Sequence, residues 1–148
     1  ARYRLMQIES KIRDKRSVTL GVYSNVPLNK LVGTLDITDI NDAISSISLN
    51  ILIDKSYCNK GYGSAAIDAI SSYLFDLVKI NRIQVLVMPN NIPCKHTLKR
   101  CGFIHEGTIR EGFVWPDKGL IDLDIYSMLK IDYLNYKNRT ADRSHYKF

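Results

Sequence analysis

No stretch of this 148-residue chain approaches the ~20 consecutive apolar residues that a bilayer-spanning helix needs, so no membrane association is expected. Cysteine is scarce. Cys58, Cys94 and Cys101 are odd in number and show no CxxC spacing, which argues against a disulfide framework or a zinc site and for reduced thiols; no metal is expected. The start, ARYRLMQIESKIRDKR, is charged and amphipathic and lacks the apolar core of a signal peptide. The expected protein is soluble and cytoplasmic. The chain also lacks an internal repeat, a low-complexity segment and a GxxxxGK[ST] phosphate loop. What it has, 45% apolar and 24% charged residues, suits one domain with one core.

The formal charge is +6, with basic residues scattered except in KIRDKR near the start and NYKNRTADRSHYKF at the end. These read as a solvated face and a loose basic tail over residues 134–148, following a single domain at residues 1–133. A nucleic-acid binder is the less favoured alternative, because no aromatic residues are interleaved at a stacking spacing. A positive field would equally attract a small molecule that carries several phosphates.

Periodicity predicts a mixed fold. Leu5, Ile8 and Ile12 give a short opening helix over residues 3–14. SVTLGVYS and KLVGTLDIT are rich in β-branched residues and read as a hairpin across NVPLNK; SISLNILID then alternates Ile47, Leu49, Ile51 and Ile53 on one face. Ile67, Ile70, Leu74 and Leu77 form a helical stripe from about Ser64 to Lys79. RIQVLVM reads as a buried strand parallel to the one before that helix. In NNIPCKHTLKRCGF, Pro93 suits a helix's first turn and Gly102 the left-handed position past its end. GFIHEGT and LIDLDIYSML close the chain as two strands.

The chemistry centres on SYCNKGYGSAAIDAISSYLF. GYGSAA fits the loose dinucleotide pattern at Gly61, Gly63 and Ala66. A dinucleotide fold, however, opens with its motif strand and supplies an acidic residue ~20 positions on; here three strands come first and VMPNN ends the next strand without a carboxylate. Two readings remain. One is a glycine turn before an ordinary helix. The other is an anion cradle in which main-chain N–H groups and the positive helix end face a diphosphate.

YCNKGYGSAAIDAI, NRIQVLVMPNNIPCKHTLKRCGFIHEGTIREG and DKGLIDLDIYSML resemble the GNAT N-acetyltransferases, in particular the ribosomal-protein N-terminal acetyltransferases, over about residues 31–129. The resemblance implies an α/β (α+β) fold: a mixed, mostly antiparallel central sheet, flanked by helices and splayed between SISLNILID and RIQVLVM, with acetyl-CoA in the gap. Cys58, Asn59, Lys60, Gly61, Tyr62, Gly63 and Ser64 would bind its pyrophosphate. Asn91 would hold the pantetheine arm, Val85 and Val87 would line the gap, and Arg100 would meet the nucleotide end. The family's opening strand and helix precede the first residue here, so either this sequence is short of them, or the wall of the acceptor site that they form is altered or supplied by a partner, such as a second copy in a homodimer.

Departures shape the expected chemistry. Cys94 stands where some members carry a serine near the thiol, and is a candidate proton donor to the leaving thiolate. Ser48 replaces a common carboxylate, so no general base is evident there. Candidate bases are Glu106, Glu111, Asp122 and Asp124, with His96 and His105 also available; of these Glu106 and Asp122 fall on family positions and are the candidate catalytic groups. Without a strong base, an amine with pKa near 10.4 must lose a proton at a cost of about 4–5 kcal/mol at pH 7, against about 1 kcal/mol for an α-amine. The expected acceptor is therefore a low-pKa primary amine, either a protein N-terminus or an aminosugar. GFVWPDKGLIDLDIY is also similar to aminosugar-nucleotide N-acetyltransferases of pseudaminic acid synthesis. The rival reading is an acyl-CoA-binding module without turnover.

Overall fold

In the computed structural model, residue 14, residues 17–25 and residues 29–145 are described; the opening helix expected over residues 3–14 lies outside them, Asp14 excepted. The β-branched runs form β1 (Val18–Tyr23), β2 (Leu31–Asn41) and β3 (Ser46–Ile53), joined as an antiparallel meander by pairs such as Val18↔Ile37 and Ile37↔Leu49. Helix α1 (Tyr62–Ser72) follows and runs into a π-helical turn, Tyr73–Val78. Next come β4 (Arg82–Val87), α2 (Ile92–Arg100), β5 (Ile104–Trp115), β6 (Gly119–Leu129) and α3 (Lys130–His145). The six-stranded sheet has the order β1-β2-β3-β4-β6-β5, with β3 and β4 parallel and every other pair antiparallel.

Alternation along the strands places the core. Ile47, Leu49, Ile83, Val85, Val87, Tyr126 and Met128 are buried, and pack with Ile67, Leu74, Phe75, Leu98 and Phe103 from the helices and the α2–β5 turn. The sheet's other face is polar in its centre, where Ser46, Ser48 and Ser127 are buried. Among the described residues no helix is long and apolar enough to cross a membrane.

Three expectations need correction. The helical stripe holds through Leu74 but not to Leu77, which is exposed, while Phe75 is fully buried. The cause is the π turn, which ends with the Lys79 N–H donating to the Leu74 carbonyl: its wider turn rotates Phe75 inward and Leu77 outward. The strand expected at GFIHEGT extends to Trp115. The residues expected as a loose tail are mostly helical, within α3. The Leu129 N–H donates to the Asp132 carboxylate at its start, and Tyr133 stacks on Phe75 with ring centroids 4.9 Å apart. The Tyr133 hydroxyl donates to Asp76 at 2.7 Å, and the Tyr136 hydroxyl to Asp68 at 3.0 Å. Two tyrosines three positions apart thus form a packing face inside a basic sequence, where charge had dominated the reading. Tyr136 lies against Gly102 (φ +92°), where a Cβ would meet it at 3.0 Å, so this helix end needs glycine for space as well as conformation.

Candidate active site

The rungs between β3 and β4 are few: Ser46↔Arg82, Ile47↔Ile83 and Ser48↔Gln84. Beyond them β3 stays with β2 as far as Gly33↔Ile53, and β4 stays with β6 as far as Val87↔Asp124. The sheet therefore splits into two leaves, β1-β2-β3 and β4-β6-β5. No rung joins Leu49–Ile53 to Val85–Val87, so two strand edges face each other across a gap in the middle of the sheet. Unpaired main-chain groups flanked by buried side chains are costly, and an extended ligand with amides of its own would satisfy them. Val85 and Val87 border this gap by their backbone, since their side chains are buried in the core.

Past the open end of β3 lies the glycine loop. Asn59 (φ +60°) and Gly61 (φ +86°) both adopt left-handed backbone, and a Cβ on Gly61 would touch nothing within 4 Å. Gly61 caps α1 without a side-chain hydrogen bond. The N–H groups of the first turn have no carbonyl one turn earlier, so together with the helix dipole they make a concavity suited to an anion. The loop is braced by Tyr57, whose ring meets Tyr62 edge-on at 6.0 Å and lies 5.2 Å from the Lys30 ammonium and 5.3 Å from that of Lys60. From behind, the buried Cys101 thiol donates to the Ser64 carbonyl at 3.8 Å; burial, then Asp68, pushes its pKa up to about 12, so it remains a thiol.

A cavity of about 500 Å³ joins loop and gap. Of the residues expected at the site, Cys58, Asn59, Gly61, Gly63, Ser64, Asn91, Cys94 and Arg100 line it, while Lys60 and Tyr62 flank it through Tyr57. Its wall also includes Ile51, Leu52, Ile53, Tyr57, Ile67, Pro93 and Thr97, which sequence reasoning missed. Ile51 and Ile53 read as core residues because they alternate, and nothing in the sequence marks where β3 loses its neighbour. Asn91 caps α2, its Oδ1 accepting the Cys94 N–H at 3.3 Å. Burial raises the half-buried Cys94 thiol above its ordinary value, so it stays protonated through neutral pH and can donate a proton. A wider groove of about 750 Å³ between Phe103 and Arg139 has neither a glycine loop nor an interrupted sheet.

Neither expected catalytic carboxylate lines the cavity. Glu106 is held by both terminal nitrogens of Arg82, at 2.5 and 3.0 Å, and accepts from Ser127; these partners pull its pKa down to about 2. As a base it is too weak and already engaged. Asp122 is exposed and accepts the N–H of Glu111 at 2.8 Å, holding a bulge of β5 where Glu111 takes φ +49°. The buried carboxylate beside the site is instead Asp124, which clips β6 to α2 through Lys95 at 2.5 Å and accepts from Thr108 at 2.6 Å. Lys95 and then Thr108 lower its pKa, so it too is an ionised anchor.

Residues 3–104 match the family described as "Acetyltransferase (GNAT) domain". The chain is similar to "Probable N-acetyltransferase YjcK" of Bacillus subtilis (strain 168), 26% identical over 121 residues that cover 78% of this chain and 66% of that protein. It is also similar to "Spermidine N(1)-acetyltransferase" of Vibrio cholerae serotype O1, 28% identical over 83 residues, 56% of this chain and 48% of that one. The chain thus spans about half to two thirds of the length of the curated relatives it matches. Among solved structures, the ribosomal-protein-S5-alanine acetyltransferase from Vibrio fischeri shares the fold with a TM-score of 0.75 at 20% identity, covering 88% of this chain and 71% of that one.

Proposed function

The chain belongs to the GNAT acetyltransferase domain family, and from that premise we infer that it transfers an acetyl group from acetyl-CoA to a primary amine by direct attack. The observation that carries this reading is the interrupted sheet with an anion cradle at its open end. A diphosphate with a long arm containing amides fits both parts: the cradle matches the charge, and the strand edges match the arm. When bound, acetyl-CoA supplies an activated acyl thioester. The main chain of Cys58–Ser64 grips the pyrophosphate, with Lys60 and Arg100 adding positive charge. Asn91 has spent its oxygen on the α2 cap, leaving its amide nitrogen to donate to the pantetheine arm. A main-chain N–H of β4 polarises the thioester carbonyl, and the Cys94 thiol protonates the departing thiolate, while the proton lost by the attacking nitrogen passes to solvent water, from which Cys94 is reprotonated. Most of the acceleration comes from positioning.

The acceptor follows from the missing base. With Glu106 and Asp122 engaged elsewhere and no carboxylate lining the cavity among the described residues, an amine that loses its proton at little cost near pH 7 is favoured. The motifs shared with ribosomal-protein N-terminal and aminosugar-nucleotide acetyltransferases support a protein N-terminus or an aminosugar. Similarity to the Vibrio cholerae spermidine enzyme favours a second reading, a polyamine. A second copy of the chain is the partner we expect, which sedimentation would check as a dimer.

Calorimetry with acetyl-CoA, followed by thiol release with an N-terminal peptide, an aminosugar nucleotide and spermidine, tests the whole. Binding with release driven by either of the first two supports the reading, and a strong spermidine preference replaces the acceptor. Binding without acceptor-dependent thiol would make the chain a binding module, and absence of binding would remove the enzyme reading.

A further inference from the structure

On the sheet face opposite the cavity helices, the row where β3 and β4 part carries a continuous side-chain chain. Gln84 Nε2 donates to Ser48 Oγ at 3.0 Å, and an Arg82 terminal nitrogen donates to Gln84 Oε1 at 3.3 Å. Arg82 also holds Glu106 with both terminal nitrogens, and Ser127 donates to the same carboxylate. Each link has a fixed sense. Arginine only donates, so the Gln84 oxygen must face it and the amide nitrogen must face Ser48; Glu106, ionised and gripped on two oxygens, keeps Arg82 from turning away. Ser48 and Ser127 are 3% exposed, so the chain is built into the sheet and is not a surface decoration.

Its position is telling. Ser48↔Gln84 is the last rung before the gap, and a junction of three parallel rungs is the kind of short pairing that frays from its end. We propose that Gln84 and Ser48, oriented by Arg82 and Glu106, form a stitch that sets where the two leaves separate, and so the width of the gap that receives the pantetheine arm. These are positioning residues: they touch neither reacting atom and act through the strands. The inference rests on the acetyl-CoA reading above. It gives Glu106, which its two bonds to Arg82 keep engaged, a positioning role in place of proton transfer.

The test compares two ligands. Adenosine 3′,5′-bisphosphate occupies the cradle without entering the gap, whereas acetyl-CoA needs both. Gln84→Met and Ser48→Ala are expected to weaken acetyl-CoA about tenfold while leaving the bisphosphate unchanged, the double variant being no worse than either single one. Ser48→Thr, which keeps the hydroxyl, should bind like the parent. Unweakened acetyl-CoA binding in the variants, or equal weakening of both ligands, overturns the stitch. If the parent binds no acetyl-CoA, the functional reading falls first and takes this one with it. Should the variants not fold, amide exchange on the unsubstituted protein decides. Slow exchange without ligand of the N–H groups in residues 82–84 that face β3, with those in residues 85–87 that face the gap rather than β6 slowed only by acetyl-CoA, supports the stitch, and fast exchange of the former overturns it.

Discussion

The two ends of the β3–β4 pair are built from the same kind of sequence and behave oppositely. At the closed end, Ile47 and Ile83 meet in a rung beneath a fully packed core, and buried serines on the other face are tied into a polar row. At the open end, Ile51 and Ile53 are only partly buried, and the strand edges lack each other. The difference does not lie in hydrophobicity. Each leaf keeps its own antiparallel partner to the end, β2 for β3 and β6 for β4, and the two partnerships diverge. The packed core lies where the leaves are joined, and the cavity where they are not.

This contrast can be broken by substitution. Ile83→Ala, at the fully buried closed end, should cost about 2–5 kcal/mol in denaturant unfolding, whereas Ile51→Ala should cost under about 1.5 kcal/mol and weaken acetyl-CoA instead; equal stability losses would mean the two ends are not distinct. Gly61→Val places a β-branched residue at φ +86° and distorts the cradle. Acetyl-CoA affinity should fall about 50-fold by calorimetry, the equivalent of roughly 2–3 kcal/mol of charge-assisted hydrogen bonding.

Smaller effects sharpen it. Cys94→Ala should lower kcat about threefold to tenfold with little change in the acceptor's KM, and Cys94→Ser should recover part of the loss; unchanged kcat would make the thiol a packing residue. Glu106 tests the closed end by pH. Its pKa is lowered to about 2 in the fold, chiefly by Arg82, so its stabilising contribution is complete above its unfolded value near 4.5 and is lost as pH falls through about 2. Glu106→Gln should flatten that stretch of the acid unfolding curve, and an unaltered curve would show that the Arg82 pair contributes nothing.

Much of this was readable beforehand. The period of two in SISLNILID, the Pro93 and Gly102 punctuation of α2 and the glycine loop are local signals, and local physics was enough for them. The π turn that exchanges Leu77 for Phe75 was hidden, because a helical stripe assumes a uniform turn. Helix α3 was hidden because its packing face consists of Tyr133 and Tyr136 docking on residues some sixty positions away. The engagement of Glu106 and Asp122 was hidden for a related reason: sequence position placed them in their segments, but only the fold brings in their partners, Arg82 and the Glu111 N–H.

By itself, the sequence determined the order of the strands with α1 and α2 between them, the alternation along the strands and the left-handed turn at Gly61, since propensity, alternation and left-handed glycine act within a few residues. Where along β3 the sheet opens and which carboxylates are engaged were decided only by tertiary structure. Each depends on which distant backbone edge or charged partner arrives at a given position, and that is a property of strand pairing across the whole sheet.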